Sequence, residues 1–73
     1  MDPNATWNNI IKLINENDPL TSDVAEQVAQ DCENLINWID IGGFLPAQAE
    51  HIGTLGLYVI LDSLRNHCEL FIE

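Results

Sequence analysis

The side chains able to ligate a soft metal or serve as a thiol nucleophile are Cys32, His51, His67 and Cys68. Zinc sites use ligand pairs at short spacing, such as C-x-x-C or H-x-x-x-H, which bring two ligands to one ion. No two of these four residues stand at such a spacing. His67 and Cys68 are adjacent, so on a helix their side chains diverge by about 100°. A Cys–His nucleophile also needs a third group to orient the imidazole, and donors for a developing oxyanion. The sequence offers no such set. Glu50-His51 is a pair that titrates near neutral pH, but a surface histidine beside a carboxylate is ordinary. No catalytic residue, cofactor site or metal site is assigned, and the expectation is a non-enzymatic protein.

Both cysteines instead fall on apolar stripes of helices, which makes them buried small hydrophobes. Asp2-Pro3 opens the first helix, with Asp at the N-cap and Pro at the first helical position. Trp7, Ile10, Ile11 and Ile14 then recur at three- and four-residue spacing, and Asn17-Asp18-Pro19 closes a helix over about 3–17. A second helix over about 23–41 starts at Ser22 or Asp23, where Asp23 and Glu26 have the spacing of a capping box. Val24, Ala25, Val28, Cys32, Leu35, Ile36 and Ile39 form its apolar stripe. Gly42-Gly43 stops it, with one glycine in the left-handed C-terminal position. Phe44 and Leu45 are expected to fold back over the end of the bundle. Gly-Gly here reads as a helix hinge, since a phosphate loop would follow a strand and carry more glycines.

A third helix is predicted over about 46–71, opened by Pro46. Its centre, Ile52 to Leu61, carries no charge. On a helical wheel Ile52, Leu55 and Val59 share one arc. Leu57, Ile60, Leu61, Leu64, Cys68 and Phe71 share another, and Thr54, Tyr58, Asp62, Arg65 and Glu69 form the polar stripe. A surface helix needs one apolar stripe, so apolar residues on two arcs imply burial on more than one side. Gly53 and Gly56 each cost roughly 1 kcal/mol relative to alanine inside a helix. Their presence predicts a second backbone packed closely there.

Charge narrows the partners. Twelve acidic residues face only Lys12 and Arg65, a formal net charge of −10. Binding to nucleic acid or to an anionic membrane depends on Lys/Arg neutralising negative charge, so neither is expected. The uncharged run of about ten residues is half the roughly 20 needed to span a bilayer. Met1-Asp2-Pro3 is not a basic region followed by an apolar run, so no export signal is expected. A cytoplasmic protein with reduced thiols follows. Glu26, Glu33 and Asp40 recur every seven residues on the second helix, a repeat of roughly 10 Å. Such a face either keeps the protein soluble or docks on a basic partner as a nucleic-acid mimic.

The sequence thus predicts one all-α domain over 1–73: a helical hairpin with a longer third helix across it, completed as a bundle by dimerisation. A domain this small buries only about 60% of the surface its unfolded chain exposes, and oligomerisation is one route to further burial. The expected core is Ile10, Ile14, Leu35, Ile36 and Ile39. The expected homodimer interface is Leu57, Leu61, Leu64, Cys68 and Phe71, self-complementary about a two-fold axis. The expected function is a protein–protein interaction module that binds itself. The competing expectation is an acidic inhibitor of the phage anti-defence kind, docking Glu26, Glu33 and Asp40 on a basic groove of a nucleic-acid-handling enzyme.

Overall fold

The computed structural model describes residues 1–72, so the end of the expected 1–73 domain at Glu73 lies outside the described residues. Three α-helices, α1 (Pro3–Glu16), α2 (Ser22–Asp40) and α3 (Gly53–Glu69), are joined by loops and one 3₁₀ segment, Ala47–Ile52. No strand occurs among the described residues, and the domain is all-α. The central element is α2, which packs against α1 and makes its broader seam with α3.

Local chemistry sets the helix ends. The Asp2 carboxylate accepts from the Asn4 and Ala5 backbone N–H groups at 3.0 and 3.2 Å, with Pro3 next to the cap. That satisfies two of the amides a helix start leaves orphaned. α2 is capped one residue earlier than expected: the Thr21 hydroxyl accepts from the Val24 N–H at 3.3 Å, and Ser22 lies inside the helix. At its other end Gly42 has φ +86°. The Gly43 N–H donates to the Trp38 carbonyl and the Gly42 N–H to the Ile39 carbonyl, at 2.9 and 3.0 Å, the paired bonds of a Schellman turn. A Cβ on Gly43 would lie 2.3 Å from the Trp38 indole, so that ring rests directly on the turn. The indole Nε1–H then donates to the Phe44 carbonyl at 3.0 Å.

The third element differs from the continuous helix expected over 46–71. Residues 47–52 wind as 3₁₀, and Gly53 breaks the path with φ +82° before α3 begins. An α-helix cannot run through a residue with positive φ. The break lets the 3₁₀ segment lie against α1, where the Ala47 N–H donates to Asn4 Oδ1 at 2.7 Å. The expected close backbone packing at the two glycines is also corrected. Open space surrounds the Cβ position of Gly53, and the space beside Gly56 is taken by the Ile52 side chain, 2.7 Å from where a Cβ would stand.

The core gathers Ile10 from α1, Val28, Cys32, Leu35 and Ile39 from α2, and Leu57, Leu61 and Cys68 from α3. Burying each leucine or isoleucine fully contributes about 1.5–3 kcal/mol relative to leaving it in water. Ile14 and Ile36, expected in the core, sit half-buried at its border. One charged residue joins the buried set. Asp31 accepts from Asn9 Nδ2 of α1 at 2.7 Å and from Gln27 Nε2 at 3.0 Å, cross-linking the hairpin. A buried carboxylate without such donors would be costly. Asp31→Ala removes both bonds, and we expect a loss of about 1–3 kcal/mol. Urea unfolding would show it as a lower midpoint with an unchanged slope; an unmoved midpoint would mean the bonds contribute nothing net.

Candidate interaction surfaces

α3 presents two apolar faces, and α2 covers only one. Leu57, Leu61 and Cys68 are fully buried within the chain, and Leu64 and Phe71 are half-buried beside them. These five residues, expected at a dimer interface, are therefore part of the intrachain core or its border. Leu57, Leu61 and Cys68 belong to one buried cluster with Cys32, Leu35 and Ile39 of α2, while Leu64 and Phe71 border a hollow shared with Ile14, Pro19 and Leu20. The opposite face is the open one. Leu55 is 78% exposed and Val59 59%, while Ile60, expected on the arc with Leu57, lies at that arc's uncovered edge and is 41% exposed. Ile52 belongs to the face of Leu55 and Val59 and is half-buried, its Cγ2 lying over Gly56. Nothing charged interrupts this face from Ile52 to Ile60.

The acidic stripe on α2 is solvent-facing: Glu26, Glu33 and Asp40 are all exposed. Asp40 is not free, because it accepts a hydrogen bond from the Tyr58 hydroxyl of α3. The repeat is thereby reduced to two carboxylates without a protein partner, Glu26 and Glu33. Arg65, one of two basic residues, is half-buried and donates to Asp62 at 2.6 Å one turn earlier. An exposed pair of this kind contributes only a few tenths of a kcal/mol, so its main effect is to neutralise a cation at the α2–α3 seam.

A second open apolar region lies at the C-terminal end of α2. Leu45 packs against the core as expected, but Phe44 stays 62% exposed and Ile41 79%. Phe44 meets the Trp38 ring edge-on, with centroids 5.7 Å apart, instead of folding over the bundle. On the far side of Trp38 a groove of about 650 Å³ opens between the start of α1 and the end of α2.

The residues with chemical potential are kept apart. His51 is exposed on the 3₁₀ segment, and His67 is exposed on α3 with its ring edge against Phe71 at 5.4 Å. Cys32 and Cys68 are both free, buried and on facing helices. Burial pushes the Cys32 thiol up to about 12, with the neighbouring Cys68 and Asp31 adding and Arg65 opposing; burial also raises Cys68. Thiols held protonated in this way are poor nucleophiles and poor ligands. Among the described residues no three of His, Cys, Asp and Glu gather as a metal site, and no helix is long and apolar enough to cross a membrane.

Among known protein families, curated proteins and solved structures, none matches this chain. Function is thus argued from the surfaces alone. Asp31 and the Trp38 groove escape a reading of the sequence. Asp31 stands at the edge of the α2 stripe, four residues after Gln27, a spacing that brings their side chains together. The groove depends on how α1 crosses α2, which no local pattern encodes.

The thiols make a pH prediction. An unfolded Cys32 ionises near 9.0, whereas the folded residue stays protonated up to about 12. Between those values the folded state holds more protons than the unfolded state, so stability falls as pH rises, by about 1.4 kcal/mol per pH unit for a fully shifted group. Below 9.0 the contribution is complete. Urea unfolding across this window should fall less steeply for Cys32→Ala than for the native chain; parallel slopes would contradict the burial of an ionisable thiol.

Proposed function

We propose that this chain is a small, acidic, non-enzymatic protein–protein interaction module of the cytoplasm, which self-associates through the outward face of α3. The observation that carries the reading is that Leu55 and Val59 stand mostly exposed within the uncharged run Ile52 to Leu61, with Asp62 one turn beyond Val59 as the nearest carboxylate of α3. Exposed apolar residues that adjoin along one face, unlike single scattered ones, mark contact surfaces. Electrostatics favours the same place. Two copies, each with formal charge −10, repel wherever carboxylates meet. Around Leu55, Val59 and Ile60 the nearest carboxylate is Asp62, which is already paired with Arg65, so this is the stretch of α3 that can meet its own image about a two-fold axis with least opposition of charge. The face is the alternate arc of the helix expected to mediate self-association, exchanged with the arc that α2 covers.

Salt has a defined sign here. Added salt screens the repulsion between acidic copies and should strengthen self-association. Light scattering over a concentration series should show the apparent mass rising towards that of a dimer, at lower concentration when salt is high. The double variant Leu55→Glu/Val59→Glu, altered only at exposed positions, should keep its helical circular dichroism and stay monomeric throughout. A native chain monomeric at every concentration, or a variant that associates equally well, would overturn the reading.

The second reading, an acidic inhibitor on a basic enzyme groove, is favoured by one observation: Glu26 and Glu33 are exposed on one face of α2 without a protein partner. Its salt dependence has the opposite sign, because opposite charges attract less when screened. Binding to a basic nucleic-acid enzyme that weakens with salt, and is lost in Glu26→Gln/Glu33→Gln, would favour it. Binding indifferent to both changes would remove it.

A further inference from the structure

The groove beside Trp38 is separate from the open face of α3 and is not used by self-association there. It is open to solvent, and its lining includes the apolar Ala5, Trp38 and Ile41 and the polar Asp2, Asn34 and Asn37. A volume of about 650 Å³ lies within the roughly 300–1,000 Å³ typical of sites that bury apolar groups. Trp38 is a fixed wall: its ring lies on Gly43, its Nε1–H is held by the Phe44 carbonyl, and the Schellman turn anchors the backbone behind it. A wall already ordered loses little entropy when a ligand arrives, which favours binding.

Charge identifies the occupant. No lysine or arginine lines the groove; its charges are the Asp2 carboxylate and the Met1 α-ammonium beside it, so the negative charge comes from the α2 rows that leave it. Two rows of α2 side chains, each spaced by four residues, lead out of it along the helix surface. One runs from Ile41 through Asn37 to Glu33. The other runs from Trp38 through Asn34 and Gln30 to Glu26, with Gln30 Nε2 donating to Asn34 Oδ1 at 2.9 Å. Residues four apart stack on successive turns, so the groove leads along α2 to exposed Glu33, one turn beyond Asn37, and to exposed Glu26 about 18 Å from Trp38 at 1.5 Å per residue.

We infer that this groove and the acidic rows below it form a docking site for a basic amphipathic helix of another protein. The partner's apolar stripe would lie against Trp38, Ala5 and Ile41, and its flanking lysines or arginines over Asp2, Glu33 and Glu26. Helix-in-groove recognition uses this division, with apolar anchors at three- and four-residue spacing and charge setting orientation. A second copy of this chain does not fit, since it would set carboxylates against carboxylates. The inference stands whether or not the chain self-associates through α3.

The experiment titrates the full chain with an amphipathic leucine–lysine helical peptide, following backbone amides and the Trp38 indole N–H by NMR. Two controls accompany it: a leucine–glutamate peptide with the same apolar stripe, and a leucine–lysine peptide of the same composition scrambled to abolish the stripe. The expected result is saturable binding of the first peptide alone, with shifts centred on Ala5, Asn34 and Trp38. Ile41→Asp should weaken it about tenfold or more by placing a carboxylate in the apolar contact. This residue is largely exposed, so the fold should persist, as circular dichroism would verify. Glu26→Gln/Glu33→Gln should weaken it further and reduce its salt dependence. Absence of binding, equal binding of either control, or shifts centred on Leu55 and Val59 would overturn the inference. So would full affinity in a folded Ile41→Asp variant.

Discussion

A helix packed against one neighbour can hide about one side of itself, and α3 carries apolar residues on two. The rest of the molecule follows from which side α2 covers. Cys32, Leu35 and Ile39 of α2 share one buried cluster with Leu57, Leu61 and Cys68 of α3, and α2–α3 is the broadest helix seam among the described residues. Once the seam is set, Leu55 and Val59 necessarily face water. Among the described residues no further helix covers them.

Two polar devices keep this seam and the hairpin in register. Asp31 draws the amides of Asn9 and Gln27 together between α1 and α2, while the Tyr58 hydroxyl reaches Asp40 between α3 and α2. Both put a carboxylate of α2 under the control of a neighbouring helix, so α2 organises the fold through polar as well as apolar contacts. The same use of Asp40 removes one member from the acidic stripe. It leaves Glu26 and Glu33 as the free charges beside the Trp38 groove.

Helix ends are legible in the sequence where the chemistry is local. Asp2-Pro3 and Gly42-Gly43 act as their types require, one capping amides and the other supplying a left-handed turn. Thr21 is harder to see, since Ser22 and Asp23 offer equivalent oxygens and only the backbone geometry selects among them. The break at Gly53 is hidden for a different reason. A glycine in a long apolar run is compatible with a continuous helix, and nothing local marks its positive φ, which accompanies a 3₁₀ segment tied to α1 through the Ala47 N–H and Asn4. Periodicity likewise reveals that α3 has two apolar arcs but not which one faces inward. That choice is made by α2, and it exchanges Leu57, Leu61 and Cys68 from the expected outer surface to the core. The i,i+4 spacing of Gln27 and Asp31 is visible in the sequence, but the Asn9 bond that makes it a cross-link and the groove by Trp38 are not, because each arises where two helices cross.

The inside–outside assignment of α3 can be tested directly through its methyl groups. In dilute solution, a soluble paramagnetic gadolinium chelate should broaden the methyl signals of Leu55 and Val59 strongly while sparing those of Leu57 and Leu61. Protected Leu55 and Val59 methyls together with broadened Leu57 and Leu61 methyls would contradict the assignment, and with it the account of how this chain presents itself to partners.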